Sequence, residues 1–77
     1  KQIRQKIGRG FFRIQSLLED AVRRGQATGE IRSRRDPEAL SRFLLCTMEG
    51  MMVLGKTGRT AKEMSEIVDV ALEALNE

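Results

Sequence analysis

Gly50 to Thr57 reads GMMVLGKT and satisfies the pattern G-x-x-x-x-G-K-[ST] residue for residue. In a phosphate-binding loop that spacing lets glycine-rich backbone N–H groups wrap the phosphates, while the lysine reaches them and the hydroxyl meets magnesium. The chemistry demands a buried strand before the loop and a helix starting at the Lys-Ser/Thr pair. Here Met51, Met52, Val53 and Leu54 continue a helical pattern that begins at Ala39. Their N–H groups are bonded inside that helix. Lys56 and Thr57 fall at its negative end, where a phosphate is repelled. Gly58 follows at once and argues against a helix beginning at Lys56. Gly55 and Gly58 read instead as C-cap and turn residues, and the pattern implies no nucleotide.

The other groups with chemical potential are few. Cys46 is the single cysteine and there is no histidine. An internal disulfide, a His/Cys zinc set and a histidine general base are therefore excluded. Cys46 lies mid-helix among apolar neighbours and reads as a small buried hydrophobe rather than a nucleophile. Glu63, Glu66, Asp69 and Glu73 share one side of a helical pattern, the mark of a solvated acidic face. Met48, Met51, Met52 and Met64 read first as core filler and second as the wall of a pocket for a flexible apolar ligand. These residues imply no enzyme, no cofactor and no metal.

The chain has 77 residues, enough for one small domain and limited core. It begins at Lys1 rather than Met, inside a helical pattern, and reads as a piece of something longer. No apolar run approaches the roughly 20 residues that span a bilayer, and the sequence lacks a signal-peptide pattern. A soluble, cytoplasmic setting is the expectation, with no membrane partner. The net charge of +3 hides an asymmetry. Residues 1–35 hold ten Lys/Arg against three Asp/Glu, and residues 36–77 hold four against eight. Arg32, Arg34 and Arg35 could give weak, salt-sensitive contact with nucleic acid. Three Phe and no Tyr or Trp leave little for base stacking.

Two polar, glycine-bearing connections, Gly25–Asp36 and Gly55–Thr60, divide the chain into three helical segments. In the first, Ile3, Ile7, Phe11, Ile14, Leu18 and Ala21 recur at helical spacing, flanked by Leu17 and Val22. Gly8 and Gly10 interrupt it and mark a kink or a close contact. In the second, Asp36 suits the N-cap, Pro37 the first helical position and Glu38 the positive helix end. Its charges, Glu38, Arg42, Glu49 and Lys56, fall on one narrow line, and a helix so widely apolar must be covered on more than one side. The third opens with Thr60 and Glu63 as a capping box. Its stripe is Ala61, Met64, Ile67, Val68, Ala71, Leu72 and Leu75. The expectation is an all-α chain with helices near residues 3–24, 37–55 and 60–76.

LLEDAVRRGQATGEIRSRRDPEALSRFLLCTMEGMMVLGKTG resembles the C-terminal part of TetR-type bacterial transcriptional regulators. The resemblance rests on Ala21 then Gly25, the Gly29-Glu30-Ile31 turn, Asp36-Pro37 opening a helix, Gly50 in its second half, and Gly58 before a last amphipathic helix to Leu75. It covers about residues 11–76, in a diffuse pattern without a catalytic signature. It implies a three-helix C-terminal fragment of a regulatory domain, spanning residues 1–77, that pairs as a four-helix-bundle dimer. It also implies effector binding, a repressor as parent protein, and DNA contact only through a missing N-terminal helix-turn-helix part. A free-standing helical protein–protein interaction module is the alternative, and a small nucleic-acid binder a third reading.

The homodimer surface expected from these patterns takes Ala39, Phe43, Cys46, Gly50, Val53 and Leu54 from the second helix. The third adds Met64, Ile67, Val68, Ala71, Leu72 and Leu75. Ala39, Cys46 and Gly50 are small and would let a partner backbone come close. Met48, Met51 and Met52 on the bulkier side, with Phe12, are the residues expected to face a small apolar effector.

Overall fold

The computed structural model describes residues 2–77, with side chains described from Gly8 onward. Ile3 and Ile7, which open the expected apolar stripe, lie outside the described side chains. Three helices follow one another: α1 Gln2–Thr28, α2 Pro37–Gly55 and α3 Ala61–Leu75. Among the described residues there is no strand.

Local chemistry starts the second and third helices. The Asp36 carboxylate accepts the Ala39 N–H at 3.3 Å. Pro37 follows at the first helical turn, where its missing N–H would have had no partner anyway. At α3 the Thr60 hydroxyl oxygen accepts the Glu63 N–H at 3.1 Å, and the Glu63 carboxylate accepts the Thr60 N–H at 3.0 Å. The Thr60 backbone N–H, and then its hydroxyl, hold the Glu63 carboxyl below the usual carboxylate value. A lowered folded value places the stabilisation above the unfolded value, about 4.3, and removes it as pH falls through the lower folded value. The wild-type chain should therefore lose α3 helicity in that acid range. Glu63→Gln keeps an acceptor in the capping box and should flatten that part of the curve. Circular dichroism of both chains from neutral pH into acid checks the difference.

The first helix runs a turn beyond the expected end near Arg24. Gly25 is helical, and the chain leaves the helix at Gly29, with φ 84°. Ile31 is the cause. Its N–H donates back to the Gly25 carbonyl at 2.9 Å, and its side chain covers Gly25. A Cβ on Gly25 would lie 2.6 Å from Ile31 Cδ1 and 2.7 Å from Cγ1. Gly25 thus serves a close approach inside the helix. Gly25→Ala should destabilise by about 1–3 kcal/mol through overpacking, against the roughly 1 kcal/mol that alanine gains as a helix former. α1 passes through Gly8 and Gly10 without a break. A Cβ on Gly10 would meet nothing within 4 Å, so Gly10→Ala should stabilise. Urea unfolding of the two variants side by side should move the midpoint in opposite directions.

The connection from Gly29 to Asp36 ties all three helices together. The Gln26 side-chain amide donates to the carbonyls of Ser33 and Arg35, each at 2.9 Å. The buried Ser33 gives its N–H to the carbonyl of Leu75, at the end of α3, at 2.9 Å. The buried Ser41 hydroxyl donates to the Glu38 carbonyl at 2.7 Å. Every buried side-chain polar atom among the described residues has a partner, as a small core requires.

α2 is the middle helix. α1 packs along one side of it and α3 along another, and α1 and α3 do not meet among the described residues. The seam on α1 centres on Val22, 1% exposed, while Ala21, which the stripe places inward, is exposed. The molecule is a single layer, 38 × 33 × 13 Å across its Cα atoms. A single layer has almost no inside. Among the described residues, Val22, Leu40 and Ala71 are the buried apolar ones. Size scaling gives a compact monomer of 8.7 kDa a surface of about 4,700 Å², whereas this chain exposes 6204 Å². The excess on the same scaling, roughly 1,500 Å², approaches two interface halves of about 800 Å² each.

Candidate functional site

The phosphate-loop pattern is dispersed by the fold. Met51 to Leu54 lie inside α2, and Gly55 is its last residue. The Lys56 N–H turns back onto the carbonyls of Val53 and Leu54. Thr57 donates its N–H to Leu54 at 2.9 Å and its hydroxyl to the same carbonyl at 2.6 Å. Gly58, with φ 82°, completes the reversal. The donors that a phosphate would need are spent on carbonyls at the negative end of a helix.

Cys46 corrects its expected burial. It is exposed and lies beside Phe11, Leu45 and Glu49. Buried and exposed residues alternate along α2 with its helical repeat, and Cys46 falls on the outer side with Ala39, Gly50 and Val53. Glu63, Glu66, Asp69 and Glu73 are exposed. Among the described residues no three His, Cys, Asp or Glu side chains gather where they could hold a metal ion. Arg32, Arg34 and Arg35 are exposed on the tied connection.

The informative surface is apolar. On α2, Ala39, Phe43, Cys46, Gly50 and Val53 are exposed along one side, and Leu54 is half-buried. A Cβ on Gly50 would meet nothing within 4 Å, so that stretch of backbone is bare. α3 adjoins the Phe43 edge of this side. A groove between the two helices is lined by Phe43 and Thr47 from α2 and by Glu63, Glu66, Ile67 and Val70 from α3. A second hollow continues it toward the α2 N-terminus, where Arg35, Ala39, Leu40 and Phe43 face Ala74 and Glu77.

Of the α3 residues expected in this surface, Met64, Ile67 and Leu75 are half-buried and Ala71 is buried in the α2–α3 seam. Val68 and Leu72 are exposed, but the helical repeat turns them away from Val70 and the groove. One partner cannot cover Val70 and Leu72 together without wrapping the layer. Val70, 65% exposed, belongs to the groove and was not among the expected residues. Its sequence signal is its place three residues after Ile67, which becomes legible only once Phe43 is known to stand opposite.

Leu44, Met48 and Met51 lie on the other side of α2. Met51 is half-buried, and Met48 and Met52 are exposed. Phe12, 72% exposed, lines a separate hollow on α1 with Gly8, Arg9, Arg13 and Ser16. Among the described residues, Phe12 thus stands on another helix than Met48, Met51 and Met52, in a hollow that none of the three lines. Among the described residues no helix is long and apolar enough to cross a membrane.

Comparison with known proteins gives one positive finding. Residues 1–71 match the family described as Tetracyclin repressor-like, C-terminal domain. No curated protein and no solved structure matches the chain.

Proposed function

This chain belongs to the Tetracyclin repressor-like C-terminal domain family, and on that premise we propose that it is the dimerisation and effector-binding part of a cytoplasmic transcriptional repressor. Domains of this family are regulatory, and they typically dimerise and bind effectors. The observation that carries the reading is the single layer, 13 Å thick, with apolar residues exposed on both sides. Two exposed sides call for two covers.

The side with small residues, Ala39, Cys46 and Gly50, together with Phe43, is the dimer face. Small residues permit close helix approach, and an isologous contact uses the same patch on both copies. The bulkier side, with Leu44, Met48, Met51, Val68 and Leu72, adjoins the remainder of a regulatory domain and its space for a small apolar effector. DNA is read by a separate helix-turn-helix part, not by these three helices. The charge line of α2 and the exposed arginines of the connection remain in solvent.

A fusion experiment tests this reading. A DNA-binding head that represses only as a dimer, joined to residues 1–77, should regain repression of a reporter gene. A folded, well-expressed fusion that leaves the reporter fully active would contradict it.

A further inference from the structure

Ser33 is a junction between the helices. Its N–H donates to the carbonyl of Leu75, the last residue of α3, at 2.9 Å. Its carbonyl accepts from the Gln26 side chain of α1 at 2.9 Å. Its hydroxyl oxygen accepts the Arg35 N–H at 3.3 Å, one residue before the Asp36 cap of α2. Ser33 is 1% exposed, so water is no ready substitute for these bonds. The last carbonyls of a helix have no partner inside it, and for Leu75 this connection supplies one.

α1 and α3 do not meet among the described residues. Gln26, Ser33 and Leu75 therefore join them without passing through α2. α1 is held firmly at the end that carries Gln26: its seam on α2 is closed at Val22, 1% exposed, and open at Phe11, 39% exposed. A tilt of α1 about Val22 pulls on Gln26 one turn away. The same amide also holds the Arg35 carbonyl, and Arg35 lines a hollow with Ala39 and Phe43 of α2 and Ala74 of α3. We propose that Gln26 and Ser33 form a strap that couples the position of α1 to the end of α3 and to the hollow beside the dimer face. An event on α1, which carries Phe12, then alters pairing of the chain without touching the paired surface. The coupling rests on the reading of the chain as an effector-binding and dimerising part, and adds the connection by which one acts on the other.

Gln26→Glu tests the strap. It keeps the size and shape of the side chain and sets an acceptor against two carbonyls in place of a donor. In residue-resolved amide hydrogen exchange, the Ser33 amide should exchange about tenfold faster or more. The amides in the last turn of α3 should also exchange faster, whereas Leu44 to Met48 in α2 should keep wild-type rates. Gln26→Met, which removes the donors without adding an acceptor, should lie between wild type and Gln26→Glu. Gln26→Glu should also weaken self-association about fivefold or more, although Gln26 lies on α1. Wild-type exchange in the last turn of α3, an equal rise throughout α2, or unchanged association despite a frayed α3 end would each overturn the strap. A wild-type chain that stays monomeric contradicts the dimer reading, while the exchange rates still decide whether α1 is coupled to α3.

Discussion

Gly50→Arg is expected to convert dimers into monomers. Gly50 lies on the exposed side of α2, and a Cβ there meets nothing within the chain. The substitution therefore has no clash to make in the monomer, and replacing glycine inside a helix favours that helix by about 1 kcal/mol. Any loss must come from outside the chain. At a close helix–helix approach the long cationic side chain either forces the two backbones apart or is buried without a partner. Either cost is about 3 kcal/mol or more, two orders of magnitude in the dissociation constant. Gly50→Ala sharpens the test. It should raise the helicity of α2 yet weaken association, because one methyl group overpacks a contact built on bare backbone. A dimer of unchanged affinity in both variants would move the interface to another side of the layer.

Leu40→Ala should largely unfold the chain. Leu40 is 3% exposed and sits near the start of α2, where the tied connection and α3 converge. Truncating a buried leucine costs about 2–5 kcal/mol. Small domains draw only about 3–5 kcal/mol from a single core, and among the described residues the buried apolar ones are Val22, Leu40 and Ala71. Thermal unfolding should show a broad, early transition in Leu40→Ala. The control is Val53→Ala, at an exposed position of the same helix, which should leave the unfolding of the monomer nearly unchanged.

The features legible in the sequence are those decided within a few residues. Asp36 followed by Pro37 starts α2, and Thr60 with Glu63 starts α3, because capping bonds close over three positions. The phosphate-loop pattern could be set aside for the same reason: the helical repeat from Ala39 through Leu54 leaves no free N–H groups for it. The features missed depend on residues farther away. Gly25 resembles a helix end until Ile31, six positions on, folds over it and moves the end to Gly29. Val70 resembles a surface residue until Phe43 of α2 lines the same groove. Val68 and Leu72 join one α3 stripe with Ile67 and Ala71, yet the width of that stripe spans two sides of a thin layer. Cys46 reads as buried because its neighbours are apolar, whereas Phe11 of α1 only borders it and leaves it exposed. In each case the pattern identifies an apolar residue correctly but cannot say which body covers it.

That cover is the centre of the account, and sedimentation equilibrium of the isolated chain over a range of concentrations tests it most directly. The account predicts a reversible equilibrium whose limiting mass is twice 8.7 kDa, displaced toward the single-chain mass by Gly50→Arg. A folded chain that holds the single-chain mass at every concentration, with the apolar side of α2 left uncovered, would contradict it.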